Sequence, residues 1–245
     1  MNKNHMIGFA AFLLLFHSAA CGPLPQSDID EPAPAVEKGT ETNTPTAVPQ
    51  LSPTTPAAEK ATYEIYFDAA WSAETHPADY DASAHFSPFI VYGHSDSPNA
   101  LIFRQNEFAT AGMEQMAETG ATDVLVGEIE AIIAAGDAND YIKGSRIDSP
   151  GTSSGKFGFS QILNQVTFVS MIAPSPDWFV AATTILFQDG RWVEELTLDL
   201  ISYDSGTDSG ASLTAADADT QPREAITRLP DNLQNMGTLT LKLIN

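Results

Sequence analysis

TYEIYFD, Thr62 to Asp68, sets Tyr63, Ile65 and Phe67 in alternation with Glu64, Tyr66 and Asp68. A period of two is that of a strand with one face in a core and the other in water. Nothing before this stretch has such a pattern. Residues 22–61 are rich in Pro, Thr, Ser, Ala and Glu, with hardly an aromatic, so they cannot bury enough apolar surface to offset the entropy of ordering. They are expected to form a tether, with a reach of roughly 35 Å for a flexible coil of this length. A folded domain is therefore expected over residues 62–245.

Downstream, further strands are expected over residues 157–171, 178–187, 192–200 and 238–243; in the last, Leu239, Leu241 and Leu243 face one way. Two helices interrupt the series. Ala109, Met113, Met116 and Ala117 recur at helical spacing before Gly120, and Leu125, Ile129, Ile132 and Ile133 do so before Gly136. Residues 137–155 carry no clear period and are expected to form an exposed loop. Strands at both ends, without regular alternation of strand and helix, imply a mainly β fold: an antiparallel β-sandwich with short helical insertions.

The full chain of 245 residues has 11 Lys and Arg against 32 Asp and Glu, a formal charge of −21. Phosphate binding needs basic side chains, so nucleic acid is excluded as a partner; cations and basic partners suit such a field better. Residues 1–20 read as a secretory signal, with Lys3 ahead of an apolar run from Ile7 to Phe16 and small residues after it. Cys21, the sole cysteine, follows Ser18-Ala19-Ala20 in a pattern that resembles a bacterial lipobox, although Ser18 stands where leucine is usual. Acylation of Cys21 would anchor the protein to a membrane. Gly22, rather than an aspartate, then favours the outer membrane, the alternative being a free extracellular protein.

The densest polar motif is DSGTDSG, Asp204 to Gly210. Gly206 lets the backbone fold so that Asp204 and Asp208 can face one centre, and hard cations such as Ca²⁺ take six to eight oxygens from such loops. Asp199 lies on the face of its strand opposite Leu196, Leu198 and Leu200 and is expected in solvent. Asp204-Ser205-Gly206 and Asp208-Ser209-Gly210 both match the aspartic protease triplet, but two copies four residues apart cannot supply two lobes of a dyad. Gly151-Thr152-Ser153-Ser154-Gly155 matches the nucleophile-elbow pattern formally, yet every histidine precedes it, and it is expected to be a polar loop. His76, His85 and His94 fit no compact zinc spacing. On composition alone, Asp177 in Ser175-Pro176-Asp177-Trp178-Phe179 is a turn residue before a strand.

Taken in order, several stretches resemble the spondin domain, the N-terminal module of the F-spondin and mindin family of extracellular matrix proteins. They are Tyr63-Glu64-Ile65-Tyr66-Phe67 with Trp71-Ser72-Ala73-Glu74-Thr75-His76-Pro77, His85-Phe86-Ser87-Pro88, Ala117-Glu118-Thr119-Gly120, Pro174-Ser175-Pro176-Asp177-Trp178-Phe179 and Tyr203-Asp204-Ser205-Gly206-Thr207-Asp208-Ser209-Gly210. The resemblance implies a C2-like sandwich with calcium held by loops at one end, its ligands being Asp177, Asp204 and Asp208. It also implies a non-enzymatic adhesion module with an unidentified protein or glycan partner. Animal members carry disulfides, which this chain lacks after Cys21. The alternatives are a metal-assisted or aspartic hydrolase, and a structural envelope protein in which calcium is a staple.

Overall fold

The computed structural model describes residues 58–245; the expected signal sequence, Cys21 and nearly all of the expected tether lie outside the described residues. In chain order the elements are β1 (Lys60–Ala69), β2 (His85–Phe86), β3 (Ile90–His94), α1 (Ala111–Thr119), α2 (Asp123–Ala134), β4 (Ala138–Lys143), β5 (Ile147–Asp148) and β6 (Gly151–Ser160). They continue with β7 (Gln165–Ala173), β8 (Trp178–Ile185), β9 (Phe187–Gln188), β10 (Arg191–Trp192), β11 (Glu195–Asp199), β12 (Ile201–Asp204), β13 (Thr227–Arg228) and β14 (Gly237–Leu243).

The strand that begins the pattern sits inside a four-stranded antiparallel sheet ordered β11-β14-β1-β6. Phe67 lies opposite Leu239 on one side and Ser153 on the other. Tyr63, Ile65 and Phe67 are buried, as the alternation requires, and face the second sheet. That sheet runs β13-β12-β8-β7-β2-β5, with β3 also paired to β7 and β4 to β3. Between the sheets Phe67 packs edge-on against Phe86, Phe89 and Phe168, at ring-centre distances of 5.1, 6.1 and 4.9 Å.

The two helices are more than insertions. They cover the other face of the second sheet, so that Met113, Met116, Leu125 and Ile129 form a separate core with Tyr92, Val169, Phe179 and Tyr203. A sheet covered on both faces explains why β7 is buried almost throughout and shows no alternation. Thr110 caps α1 by accepting a bond from the Met113 amide at 3.1 Å, and Gly120 closes it in the left-handed region with φ 72°. A side chain at Gly112 would meet the Leu125 backbone at 2.5 Å, so glycine is what lets the two helices approach.

Several boundaries differ from the sequence expectation. Residues 137–155, expected as an exposed loop, contain β4, β5 and the start of β6. Gly151 to Gly155 is strand paired with β1, not a loop. These residues are polar because β4 and the first half of β6 present much of their surface to water, so tertiary pairing overrides weak propensity. The strand expected over 157–171 is two strands, β6 and β7, joined by a turn. The strand expected over 192–200 breaks at Val193, and the chain then crosses at Leu200 from the first sheet to the second. Lys60 and Ala61 already pair with Ser160 and Phe159, which moves the start of the ordered domain two residues upstream.

Replacing Phe67 by Ala removes the ring common to three aromatic contacts. It is expected to cost about 3–5 kcal/mol, read as a lowered denaturant midpoint with an unchanged slope.

Candidate functional site: an acidic loop cluster beside strand β12

Pairing of β8 with β12 sets Asp204 opposite Trp178, the residue after Asp177. Two loops distant in sequence thereby meet at one end of the sandwich. Asp177 is fully buried. Its Oδ2 accepts bonds from the amides of Thr207 at 2.8 Å and Asp208 at 3.0 Å, and from the Ser205 hydroxyl at 3.1 Å. Its Oδ1 is buried with no hydrogen-bond partner. A carboxylate so placed organises the 205–208 turn with one oxygen and leaves the other unmatched.

Asp204 accepts from the Gly206 amide at 2.8 Å through Oδ1 and from the Trp178 indole at 3.2 Å through Oδ2. Burial first, and then the charge of Asp177, push its carboxyl up to about 6. Asp208 accepts from the amides of Gly210 at 2.6 Å and Ala218 at 2.7 Å. Gly206 has φ 75°, and a side chain there would meet the Glu224 carbonyl at 2.4 Å, so glycine is required on both counts.

Sequence reasoning missed other members of this cluster. Glu118 of α1 lines a pocket of about 270 Å³ together with Ser175, Asp208 and Asp217. Its carboxyl is raised, first by burial and then by the charges of Glu114, Asp177 and Asp208, against a lowering bond from Thr207. On the other side of Asp208, Trp178, Asp204, Thr220 and Glu224 line a second pocket of about 320 Å³. Glu118 sits in one of the motif stretches; Thr220 and Glu224 carry no sequence signal because only the return of the chain after Gly210 brings them here.

Asp199 is exposed on its strand, as expected. His76 and His94 are buried and satisfied: His76 Nε2 lies 2.8 Å from the Gln234 carbonyl, and His94 Nε2 lies 2.8 Å from Thr167 Oγ1. His85 Nδ1 is 2.8 Å from the Ser83 carbonyl. The three histidines do not meet in the acidic cluster.

Among the described residues, no three His, Cys, Asp or Glu side chains are gathered closely enough to hold a metal by themselves. The donor set is nevertheless all oxygen, includes an unpartnered buried carboxylate oxygen, and lies in a field of like charge. That fits a hard cation such as Ca²⁺, which completes its shell with carbonyl, hydroxyl and water oxygens, and it does not fit zinc.

The family model described as Spondin_N matches residues 61–237, which takes in both helices, all of these acidic loops and the strands as far as the start of β14. The chain belongs to the Spondin_N family. Human Spondin-2 is 34% identical over 179 residues, covering 69% of this chain and 52% of that protein. Rat Spondin-1 is 30% identical over 174 residues, covering 68% of this chain and 21% of that protein. The chain thus spans about half the length of the Spondin-2 relative and about a fifth of the Spondin-1 relative.

Two outcomes test this geometry. Asp177→Ala leaves the buried amides of Thr207 and Asp208 without an acceptor and is expected to cost about 2–4 kcal/mol in chelator, measured by denaturant unfolding. The raised carboxyl of Asp204 means that, without metal, the folded state holds this proton more tightly than the unfolded state does. Its contribution to stability is present below about pH 4 and is lost as pH rises through about 6. Asp204→Asn should flatten that part of the pH profile in chelator; an unchanged profile contradicts the burial of this charge.

Proposed function

We propose that this Spondin_N domain is a non-enzymatic, calcium-dependent binding module that works outside the cytoplasm. The single observation that carries the calcium reading is the buried, unpartnered Oδ1 of Asp177 beside the Asp204 carboxylate. Converging carboxylates repel one another unless a cation sits among them, and burial strengthens the repulsion. Asp177, Asp204 and Asp208 would hold the ion. Calcium would neutralise the loops, fix their geometry and offer a coordination position to an acidic group on a partner protein or glycan.

The adhesion role follows from the family resemblance and from the position of the acidic cluster on loops at one end of a rigid sandwich. The signal-like segment and Cys21 support a lipid-anchored protein of the cell envelope, on the outer membrane, with residues 22–61 as the spacer. A hydrolase is disfavoured by the histidine positions: among the described residues, His76, His85 and His94 bond elsewhere and none is bonded to the aspartates as a base would be.

Calorimetric titration of the full chain with calcium tests the site. Saturable binding is expected at roughly 10⁻⁴–10⁻³ M, the range of extracellular modules, and should vanish in the Asp204→Ala, Asp208→Ala double variant. No heat and no thermal shift at millimolar calcium would contradict the proposal. A binding module also predicts partners captured from an envelope extract with calcium and released by chelator. A domain that binds calcium yet shows no calcium-dependent partner would instead use the ion as a staple.

A further inference from the structure

After Gly210 the chain runs out and returns along the same acidic loop. Asp219 pairs with Asp208, the Thr220 amide donates to the Thr207 carbonyl at 2.8 Å, and the Glu224 amide donates to the Gly206 carbonyl at 2.9 Å. The return segment is therefore fixed to the DSGTDSG turn by backbone bonds on three successive contacts. The Asp208 carboxylate adds to these ties by accepting from the Ala218 amide at 2.7 Å.

Thr220 stands out within this segment. It is only 9% exposed, and its hydroxyl oxygen is buried with no hydrogen-bond partner. It lines the pocket of about 320 Å³ that also contains Asp204, Asp208 and Glu224. A buried hydroxyl without a partner is costly, and native structures keep one where a water or an ion completes it. Two unmatched buried oxygens, Thr220 Oγ1 and Asp177 Oδ1, thus belong to residues bonded to the same turn: Thr220 through its amide to the Thr207 carbonyl, Asp177 through its Oδ2 to the amides of Thr207 and Asp208. The described carboxylates alone do not make a metal site, so an ion here would draw further oxygens from neutral groups and water, and the Thr220 hydroxyl is a buried one with no other partner.

We propose that the Thr220 hydroxyl is a calcium ligand, supplied by a third loop in addition to the two that carry Asp177, Asp204 and Asp208. The inference rests on the calcium reading above. Glu224 lines the same pocket and would add negative charge to it. The third loop makes the site sensitive to the return segment: residues 211–219 connect two parts of one coordination shell, and calcium would tie them together.

The test uses the full chain with calcium and with terbium as a luminescent substitute. Thr220→Val keeps the shape and removes the hydroxyl; Thr220→Ser keeps the hydroxyl. The Val variant should bind calcium about tenfold more weakly and should hold about one more water on bound terbium, from luminescence lifetimes in light and heavy water. In chelator the Val variant should melt no lower than the parent, because an unpartnered buried hydroxyl has gone. The Ser variant should bind as the parent does. Parent-like calcium affinity and an unchanged water count in Thr220→Val overturn the assignment, whereas absence of calcium and terbium binding in the parent itself overturns the calcium reading on which it rests.

Discussion

The buried carboxylate of Asp177 is the constraint on which the loop end of this molecule depends. One oxygen gathers two amides and a hydroxyl from residues 205–208, which gives the DSGTDSG turn its shape. The other oxygen has no partner. A charge in a dry site is tolerated when it is paired and hydrogen-bonded, and half of this carboxylate is not. The same group therefore supports the fold locally and creates a demand that the proposed cation would satisfy.

The sandwich makes this possible by bringing distant segments to one edge. β8 leaves the Asp177 turn, β12 arrives at Asp204, and the two pair antiparallel. β12 reaches that position only because the chain leaves the first sheet at Leu200 and enters the second. Helix α1 packs across the second sheet and ends near the loops, which is why Glu118 comes within the field of Asp177 and Asp208. Two cores, one between the sheets and one under the helices, hold these elements without disulfides among the described residues.

The parts legible in the sequence were those whose burial follows a local period. β1 alternates because one face meets a core and the other meets water, and α1 and α2 show their apolar stripes for the same reason. β7 is buried on both faces and reads only as an apolar run, so its boundary with β6 was lost. β4 and the first half of β6 are polar and partly exposed, so nothing local distinguishes them from a loop. At the site, Asp204 and Asp208 stood out from glycine and spacing, whereas Asp177 resembled any turn residue until the family resemblance singled it out. Glu118, Thr220 and Glu224 were invisible because their contribution depends on tertiary placement, not on neighbours in sequence.

A strongly acidic chain of this kind sets a high background attraction for cations, so affinity alone does not identify a site. Position does. The most direct measurement is a crystal structure grown in millimolar calcium, with the ion identified by its anomalous signal. The account predicts a calcium ion with Asp177 Oδ1 among its ligands at about 2.3–2.6 Å. Asp177 Oδ1 hydrogen-bonded to an ordered water, with no ion between the loops, would contradict it.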